Sequence, residues 1–459
     1  MTLIKSISGI RGTIGGTQGE NLTPLDITQF AAAFSFWVKQ KTRKKQPTIV
    51  IGRDARISGP MVKMILTATI NGMGCNIIDI DMATTPTTEM AVTKHHADGG
   101  IIITASHNPK QWNALKLLNE KGEFLSDADG KALLKIIADN AVTFAGVDDL
   151  GDTTIDTEAL DYHIDKILSL PLVDVEAISK AGFKVAVDGI NSVGGIAIPE
   201  LLKRLGVAEI TVVNAEPTGN FAHKPEPLPE NIKDFLSLVK NNNVDLGIVV
   251  DPDVDRLAFV CEDGQFFGEE YTLVAVADYV LQHTKGNTVS NLSSSRALRV
   301  ITEKYGQKTF QSAVGEVNVT ALMKKENAII GGEGNGGVIY PALHYGRDAL
   351  VGVALFLSYL AKSGKKVSEI RQNYPHFFIS KNKVELTAET DLMSIFNKVK
   401  ANFSHGEFNE VDGLKVDLPE GWFHLRKSNT EPIIRIYAEA ATKEKADDLA
   451  NHVIRILKK

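Results

Sequence analysis

The sequence predicts an α/β protein with a smaller α+β segment at its C-terminal end. Apolar runs of strand length alternate with helical patterns over most of the chain, as in βαβ units. At least three of these runs end in a loop rich in Gly, Asp or Asn, where open α/β sheets bind ligands. Near the end the pattern changes, because residues 424–440 indicate strand, loop and strand, and residues 442–457 indicate an amphipathic helix.

The N-terminal part supplies the first group of alternating elements. The β-branched runs predict strands, and the spacing of apolar residues between them predicts helices. In order, these are a strand at 47–51, a helix at 61–73, a strand at 75–80, a polar loop at 84–88, a helix from about Glu89, and a strand at 99–103.

Ser106 follows the strand at 99–103 and is flanked by His107 and the turn signal Asn108-Pro109. Proline fixes its own φ and moves the preceding residue out of the helical region. The pattern therefore places a serine hydroxyl at the end of a buried strand. A helix N-cap or an ordinary turn serine is the alternative, since serine is common in both places.

The strand-and-loop pattern recurs three more times. The later strands are 183–187, 245–250 and 328–330, and each leads into a loop of polar residues or glycines. Changes in pattern near 155, 258 and 372 predict four domains, at 1–155, 156–258, 259–372 and 373–459.

Asp251, Asp253 and Asp255 follow one of these strands at spacings of two residues. In an extended segment this spacing puts all three on one side. Three converging carboxylates need a cation, and an oxygen-only ligand set favours Mg²⁺ or Ca²⁺. An EF-hand is disfavoured because Arg256 stands where that loop needs glycine. A solvated acidic loop without a bound ion is the alternative. Arg256 beside the carboxylates suggests that an anion is bound there as well.

Two further loops carry polar side chains suited to a sugar phosphate. Residues 332–337 match GxGxxG formally, but a strand-like run follows instead of a helix, which excludes a dinucleotide fingerprint. A flexible loop presenting Glu333 and Asn335 to sugar hydroxyls is one interpretation, and a plain turn is the other. The second loop has donors suited to a phosphate dianion, unless it is a helix cap or a solvated loop. Its candidates are Arg426, Ser428, Asn429 and Thr430, with Arg435 after them.

Composition limits the classes of protein. The chain has 459 residues, a net charge of −6 and no basic block, so we expect no nucleic-acid partner. No apolar run approaches membrane-spanning length, so we expect no membrane partner. The two cysteines form no CxxC or Cys/His cluster, which argues against zinc and favours a reducing cytoplasm.

Taken together, these motifs resemble the α-D-phosphohexomutase superfamily over essentially the whole chain. The stretch Thr104-Ala105-Ser106-His107-Asn108-Pro109 resembles its phosphoserine loop, and residues 251–256 resemble its metal loop. The loops at 333–336 and 426–430 stand where the family binds sugar and phosphate. The resemblance implies three related α/β domains with mixed sheets and a C-terminal α+β domain, around a central cleft.

The resemblance also implies an intramolecular phosphotransferase that interconverts sugar 1-phosphates and 6-phosphates. Ser106 would carry the phosphoryl group, and Mg²⁺ would be bound by Asp251, Asp253, Asp255 and a phosphoserine oxygen. A sugar 1,6-bisphosphate would be both intermediate and activator.

Other residues would assist at the phosphoserine. Arg11 and Arg256 would neutralise charge there. Lys116 matches the family's general base, although Ala114 replaces a glycine in that stretch and its local turn could differ. His107 is the second candidate base.

The choice of sugar depends on fewer residues. Gly337 stands where many bacterial relatives have histidine, and the opening Ser8-Gly9-Ile10-Arg11-Gly12 resembles enzymes acting on glucosamine phosphate. We therefore expect glucosamine phosphate, with glucose or mannose phosphate as the alternative. A non-catalytic phosphosugar sensor and a bisphosphate synthase remain alternatives from other classes. A monomer and a homodimer are both compatible with the sequence.

Overall fold

The computed structural model describes residues 2–6, 9–386, 391–428 and 433–457. The chain divides into two compact units. The first unit comprises Met1–Thr272 and Gly336–Ile370, and the second comprises Leu273–Asn335 and Arg371–Lys459.

Strands and helices alternate along most of the described chain. The strands are β1 Ile4–Ser6, β2 Gly9–Thr13, β3 Thr48–Arg53, β4 Asn76–Met82, β5 Gly99–Ile103, β6 Trp112–Leu118, β7 Thr153–Ile155, β8 Lys184–Asp188, β9 Glu209–Val213, β10 Leu246–Val250, β11 Leu257–Cys261, β12 Thr288–Asn291, β13 Thr309–Ser312, β14 Ile330–Glu333, β15 Gly337–Ile339, β16 Phe378–Glu385, β17 Glu407–Asn409, β18 Leu414–Asp417, β19 Gly421–Lys427 and β20 Ile433–Ala440. The helices are α1 Pro24–Thr42, α2 Gly59–Gly72, α3 Thr85–Lys94, α4 Asp127–Ala138, α5 Ala159–Leu168, α6 Val175–Ala181, α7 Gly194–Arg204, α8 Lys233–Asn241, α9 Glu269–His283, α10 Ala297–Lys304, α11 Glu316–Lys325, α12 Ala349–Ser363, α13 Val367–Gln372, α14 Leu392–Asn402 and α15 Lys443–Leu457, with a 3₁₀ turn at Val147–Asp149.

Two mixed sheets organise the first unit. The larger has the order β1-β2-β6-β5-β3-β4-β7, with β3 parallel to both β4 and β5 and with β6 antiparallel to β5. The smaller has the order β11-β10-β8-β9, with β11 antiparallel and the others parallel. The loops after β3 and β5 therefore emerge at the same edge, because carboxyl ends of parallel strands lie together.

The central strands of the larger sheet are buried on both faces. Ile101 and Ile103 pack into the core formed with α1 and α2, whereas Ile102 packs into a second core with residues of α3. This explains why the sequence of β5 is continuously apolar rather than alternating.

The second unit contains a parallel and an antiparallel ladder. Strands β13, β12 and β14 run parallel. The C-terminal sheet is antiparallel in the order β16-β20-β19-β18-β17, and α14 and α15 contribute to its core. The predicted α/β class with a C-terminal α+β segment is therefore confirmed.

The predicted polar loop at 84–88 is wrong, since these residues form the first turn of α3. Thr84 is the N-cap, and its hydroxyl accepts a hydrogen bond from the Thr87 N–H. Pro86 fits the first helical turn because proline needs no N–H partner there. The threonines that suggested a loop are the capping signal itself.

The predicted loop is wrong for Glu333, because β14 continues through Gly331 and Gly332 to that residue, whereas residues 334–336 form a turn before β15. A Cβ on Gly331 would lie 2.6 Å from the Met323 sulfur and 2.7 Å from the Val289 carbonyl oxygen. Glycine is thus needed for close packing inside a strand, which is one of its ordinary roles.

Two findings bear on composition. Cys75 and Cys261 are buried and form no disulfide with each other. Among the helices of the described residues, none is long and apolar enough to cross a lipid bilayer.

Candidate active site

Ser106 lies just beyond β5 in a backbone conformation that is rare for serine. Its φ is +48°, its side chain is buried, and no helix follows it, so it is not a helix N-cap. Its N–H donates to the Thr104 hydroxyl at 3.0 Å, and its own hydroxyl donates to Asp251 Oδ2 at 2.6 Å. The Ser106 hydroxyl is thus hydrogen-bonded to one carboxylate of the acidic loop.

The three aspartates form a buried cluster in the turn between β10 and β11. They are fully buried, and one carboxylate oxygen from each lies within 4.8 Å of the others. The predicted convergence is present, but the predicted extended backbone is wrong. Residues 251–256 form a turn in which the β-branched Val254 has a φ of +61°. Such strain persists only where surrounding contacts determine the backbone, and it is common at functional sites.

Two of these carboxylates are each anchored through one oxygen. Asp253 Oδ2 accepts from Lys116 Nζ at 2.6 Å and from the Thr85 hydroxyl at 2.6 Å. Asp255 Oδ2 accepts from Arg347 at 2.7 Å and from Lys116 at 3.2 Å. The other oxygen of each, Oδ1, is buried with no hydrogen-bond partner among the described residues. Buried acceptors without partners are costly, so this pair of oxygens is suited to a cation.

These contacts shift the pKa values of the cluster residues. Burial together with Asp253 and Asp255 raises the pKa of Asp251 well above its usual range. Burial opposes the charge of Lys116, but the two carboxylates raise the pKa of this lysine above its ordinary value. Burial likewise opposes the charge of Asp253, but Lys116 lowers its pKa. Lys116 therefore supplies part of the positive charge that three adjacent carboxylates require.

Arg256 joins this cluster and leaves one donor unused. Its backbone N–H donates to Asp251 Oδ1 at 3.1 Å, and its Nη1 donates to Glu226 Oε1 at 3.1 Å. Its Nε is buried and has no hydrogen-bond partner among the described residues. Arg256 and Ser106 both bind Asp251, and a buried, unsatisfied guanidinium donor is suited to an anion such as a phosphoryl group.

Arg11 and His107 complete the surroundings of Ser106. Arg11 Nη1 donates to the Asn108 side-chain oxygen at 3.1 Å. Burial and the charges of Arg256 and Arg56 lower the pKa of Arg11 from its usual value. His107 Nδ1 lies 3.5 Å from the Ser106 hydroxyl, and burial together with Arg256 lowers the His107 pKa to about 2. The imidazole is thus neutral in these surroundings.

Lys116 reaches the cluster from the middle of β6, not from a turn. Ala114, which replaces the family's glycine, lies in that strand opposite Arg11 of β2 and has no positive φ. The doubt raised by Ala114 is therefore removed, since alanine is unstrained in a β-strand.

Glu333 and Asn335 belong to the second unit. Glu333 is buried at the end of β14, where Oε1 accepts from Asn291 at 2.8 Å and from the Gly315 N–H at 3.1 Å. Asn335 lies at intermediate exposure after this strand.

The predicted phosphate-binding residues also belong to the second unit. Arg426 and Arg435 lie directly opposite each other on β19 and β20, and Lys383 of β16 lies opposite Arg435. Arg426 Nε is 2.7 Å from Asp412 Oδ2, and the Ser428 N–H donates to the Ile433 carbonyl. Like charges opposite each other in a sheet repel, so this basic row is suited to an anion. Asn429 and Thr430 lie outside the described residues.

The sequence predicted Ser106, His107, Lys116 and the acidic loop as site residues, but it did not indicate three supporting residues. Thr85 and Arg347 hold metal-loop carboxylates, and Arg56 binds the serine loop. Thr85 and Arg347 lie 168 and 92 residues from their partners. Only Arg56 had a usable signal, because it follows β3, which is parallel to β5.

Comparison with known proteins agrees with this site. Profiles of the phosphoglucomutase/phosphomannomutase family match four successive segments: α/β/α domain I at residues 3–143, domain II at 161–264, domain III at 268–377 and the C-terminal domain at 383–456. A phosphoglucomutase/phosphomannomutase of Thermococcus kodakarensis is 36% identical over 452 residues, covering 97% of this chain and 98% of that protein. The chain belongs to the phosphoglucomutase/phosphomannomutase family.

Other members of this family extend the comparison. A probable phosphoglucosamine mutase of Methanopyrus kandleri is 30% identical over 98% of this chain and 97% of that protein. The crystal structure of a family protein from Burkholderia thailandensis matches with a TM-score of 0.84 at 25% identity, covering 99% of this chain and 98% of that one. Family membership makes the protein a phosphohexomutase, an intramolecular phosphotransferase of the isomerase class.

Proposed function

We propose that the protein is a phosphoglucosamine mutase, interconverting glucosamine 1-phosphate and glucosamine 6-phosphate through a phosphoserine at Ser106. The observation that carries the proposal is the set of unsatisfied buried atoms beside Ser106. Two carboxylate oxygens, Asp253 Oδ1 and Asp255 Oδ1, have no hydrogen-bond partner within the described part of the chain, and neither has the Nε donor of Arg256. A cation and an anion are required at the same place, which is the requirement of phosphoryl transfer.

The residues fit a bound Mg²⁺. Asp251, Asp253 and Asp255 offer only oxygen ligands, and their anchored second oxygens orient them. With a phosphoserine oxygen they would hold the ion. Mg²⁺ in such a site neutralises charge on the transferring phosphoryl group and orients it.

The first half-reaction transfers the phosphoryl group to the sugar. The O–P bond at Ser106 breaks, and a new O–P bond forms to the 6-hydroxyl oxygen of the sugar 1-phosphate, giving the 1,6-bisphosphate. Arg256 and Arg11 neutralise developing negative charge. The hydroxyl proton passes through a base and ends on the Ser106 oxygen.

Lys116 is the proposed base and His107 the second candidate. Lys116 accepts a proton only when its contacts with Asp253 and Asp255 are broken, because these keep it charged. His107 is close enough to hydrogen-bond within the serine loop, which is the simpler role for it.

The second half-reaction reverses the transfer from the other end of the bisphosphate. The phosphoryl group on O1 returns to Ser106, leaving sugar 6-phosphate. The bisphosphate is therefore also the activator that restores phosphoserine after hydrolysis. We propose that the remaining phosphate is bound by Arg426, Ser428, Asn429, Thr430 and Arg435, and the sugar hydroxyls by Glu333 and Asn335.

The proposed division of labour follows four domains, at 1–155, 156–258, 259–372 and 373–459. These would supply the phosphoserine, the metal loop, the sugar loop and the phosphate loop, in that order. The boundaries between the four matched family segments support this division.

The choice of glucosamine is supported by the opening Ser8-Gly9-Ile10-Arg11-Gly12, which resembles enzymes acting on glucosamine phosphate, and by the name of the Methanopyrus relative. The name of the Thermococcus relative favours glucose or mannose phosphate as the second candidate.

A substrate panel tests the proposal. The protein, with Mg²⁺ and a trace of the matching bisphosphate, is given the 1-phosphates of glucosamine, glucose, mannose and N-acetylglucosamine. We expect the highest kcat/KM with glucosamine 1-phosphate and no turnover by Ser106→Ala. Ser126→Ala is the matched control, because Ser126 only caps α4.

Each alternative has its own outcome in this panel. A clear preference for glucose or mannose phosphate would correct the sugar and leave the mechanism. Absence of turnover with every sugar, although Ser106 is shown by mass to be phosphorylated, would contradict a mutase and favour a sensor or a bisphosphate synthase.

A further inference from the structure

Arg56 is a fully buried cation that the mechanism above does not use. Its guanidinium donates to four backbone carbonyl groups of the serine loop and of the start of β6. Nη2 donates to Ser106 and, at 2.6 Å, to Asn108, and Nη1 donates to Pro109 at 2.8 Å and to Trp112 at 2.9 Å. One side chain therefore satisfies acceptors on both sides of the serine.

This set of contacts requires arginine. The guanidinium has five N–H donors in a fixed planar fork, whereas lysine has three donors on a point charge. All three nitrogens of Arg56 are used, since Nε donates to Asp54 Oδ2 at 3.1 Å. A lysine could place a charge near the loop but could not hold four carbonyl groups and one carboxylate in the same geometry.

Asp54 links Arg56 to the other side of the serine. Its Oδ2 also accepts from the Thr104 hydroxyl at 2.6 Å, and the Thr104 oxygen accepts the Ser106 N–H. The backbone of Ser106 is thus fixed at its N–H through Thr104 and at its carbonyl through Arg56. Because Asp54 balances the buried charge, the arrangement is a closed network of satisfied groups.

Residues 219–221 pack against this network. The ring of Phe221 lies 5.2 Å from the Arg56 guanidinium carbon, in a cation–π contact. Gly219 has a φ of +71°, and a Cβ there would lie 2.2 Å from the Ala55 carbonyl oxygen. The segment around Phe221 therefore approaches the strand end closely because residue 219 is glycine.

We propose that Arg56 is a positioning residue for phosphoryl transfer, which keeps Ser106 in its left-handed conformation and aims its oxygen at the acidic loop. The proposal rests on the function proposed above. A serine at a φ of +48° relaxes unless its surroundings determine it, and Arg56 holds the carbonyl groups of Ser106, Asn108, Pro109 and Trp112 around it. Loss of these hydrogen bonds would misplace the reacting oxygen, although Arg56 itself does not contact the substrate.

The test is Arg56→Lys, with Arg53→Lys as the matched control. Arg53 lies at the end of the same strand, and its side chain hydrogen-bonds to Asp81 and to the Asp54 carbonyl rather than to the serine loop. We expect Arg56→Lys to lower kcat about ten- to a hundred-fold, as a misplaced reacting group does, with KM nearly unchanged. The rate at which the bisphosphate phosphorylates Ser106, followed by intact mass, should fall by the same factor. Arg53→Lys should keep both rates.

Thr104→Val keeps the proposal testable if Arg56→Lys fails to fold, because it removes only the hydroxyl between Ser106 and Asp54. Thr104→Val should also lower kcat and leave KM nearly unchanged. A folded Arg56→Lys or Thr104→Val protein with an unchanged kcat, or with a loss confined to KM, would overturn the positioning role. Absence of turnover by the unsubstituted protein would overturn the proposed function, and the positioning role with it.

Discussion

At the scale of single residues, Thr85 holds one oxygen of Asp253 and leaves the other free for a cation. Replacing Thr85 by valine removes this hydrogen bond while keeping the shape of the side chain. We expect the affinity for Mg²⁺, measured by titration calorimetry, to fall about ten-fold, as it does when a hydrogen-bond partner of a metal ligand is removed. Thr88→Val is the control, because the Thr88 hydroxyl donates to the carbonyl of the N-cap residue Thr84 and not to a metal-loop carboxylate. An unchanged affinity in Thr85→Val would show that Asp253 is oriented without it.

Lys116 forms ion pairs with two of the proposed metal ligands, Asp253 and Asp255. Lys116→Met should lower kcat about a hundred-fold or more if the lysine is the general base. Mg²⁺ affinity should stay constant or rise, because a competing charge has been removed. Lys121→Met, at an exposed lysine on the loop after β6, is the control. If Lys116→Met keeps its kcat and His107→Gln loses it, the base is His107.

Individual residues could be predicted from sequence where one short loop carries the whole signal. Ser106 and the three aspartates are examples. Thr85 and Arg347 could not be predicted in this way, because each acts through a residue distant in the chain, whereas Arg56 had only the parallel pairing of β3 and β5 as a signal. Glu333 was recognised, but its burial inside β14 was not, since five glycines within residues 331–337 suggest a loop.

At the scale of elements, α12 begins at a buried cluster of histidines and carboxylates. Asp348 is its N-cap, with Oδ1 accepting the N–H groups of Leu350 and Val351. Asp348 Oδ2 lies 2.9 Å from His163 Nε2 and 3.3 Å from His344 Nε2. His344 Nδ1 lies 3.3 Å from Glu89 of α3. Side chains from three helices and the loop before α12 thus meet in this cluster.

This cluster makes stability depend on pH. Burial opposes the charge of His344, but hydrogen bonds to Asp348 and Glu89 raise its pKa to about 10. A raised pKa stabilises the fold fully below the unfolded value of about 6.5, and the contribution is lost as pH rises towards 10.

We therefore expect the free energy of unfolding to fall from pH 7 to pH 10 by up to about 1.4 kcal/mol per pH unit from this group. Denaturant titrations should show a shallower fall for His344→Gln. His405→Gln, at an exposed histidine, should keep the original slope. Equal slopes in all three proteins would contradict a charged His344.

Elements with strong periodicity and long apolar runs, such as β5 and α15, could be predicted closely. The start of α3 could not, because its capping threonines are also loop formers. The metal loop was assigned the right residues and the wrong backbone. Tertiary contacts, including the Asp253 carbonyl that accepts the Thr85 N–H, impose a turn where the spacing suggested extension.

At the scale of the whole molecule, each of the two units has its own buried connections. In the second unit Arg296, at the start of α10, donates to the carbonyl groups of Leu418 and Gly421 at 3.1 and 2.6 Å. Its backbone N–H donates to the buried carboxylate of Glu439. Arg296 therefore ties the α/β part of this unit to its C-terminal sheet.

Arg296→Met should destabilise the second unit by about 3 kcal/mol, the usual cost of breaking a partly buried charge network. Hydrogen exchange should show the loss in β18 to β20 and leave the first unit protected. Arg299→Met should have little effect, because Arg299 is more exposed than Arg296, although both lie within 4 Å of Asp417. Equal loss of protection in both units would contradict independent stabilisation.

The most direct test of the account follows one phosphoryl group. Protein phosphorylated at Ser106 with a ³²P-labelled phosphoryl group is freed of ligand and mixed with excess unlabelled glucosamine 1-phosphate and Mg²⁺. We predict that the label leaves Ser106 and appears on O6 of the bisphosphate and of glucosamine 6-phosphate, while Ser106 is phosphorylated again from O1 of the substrate. Label that stays on Ser106 while glucosamine 6-phosphate accumulates, or label carried by another residue, would contradict the phosphoserine mechanism.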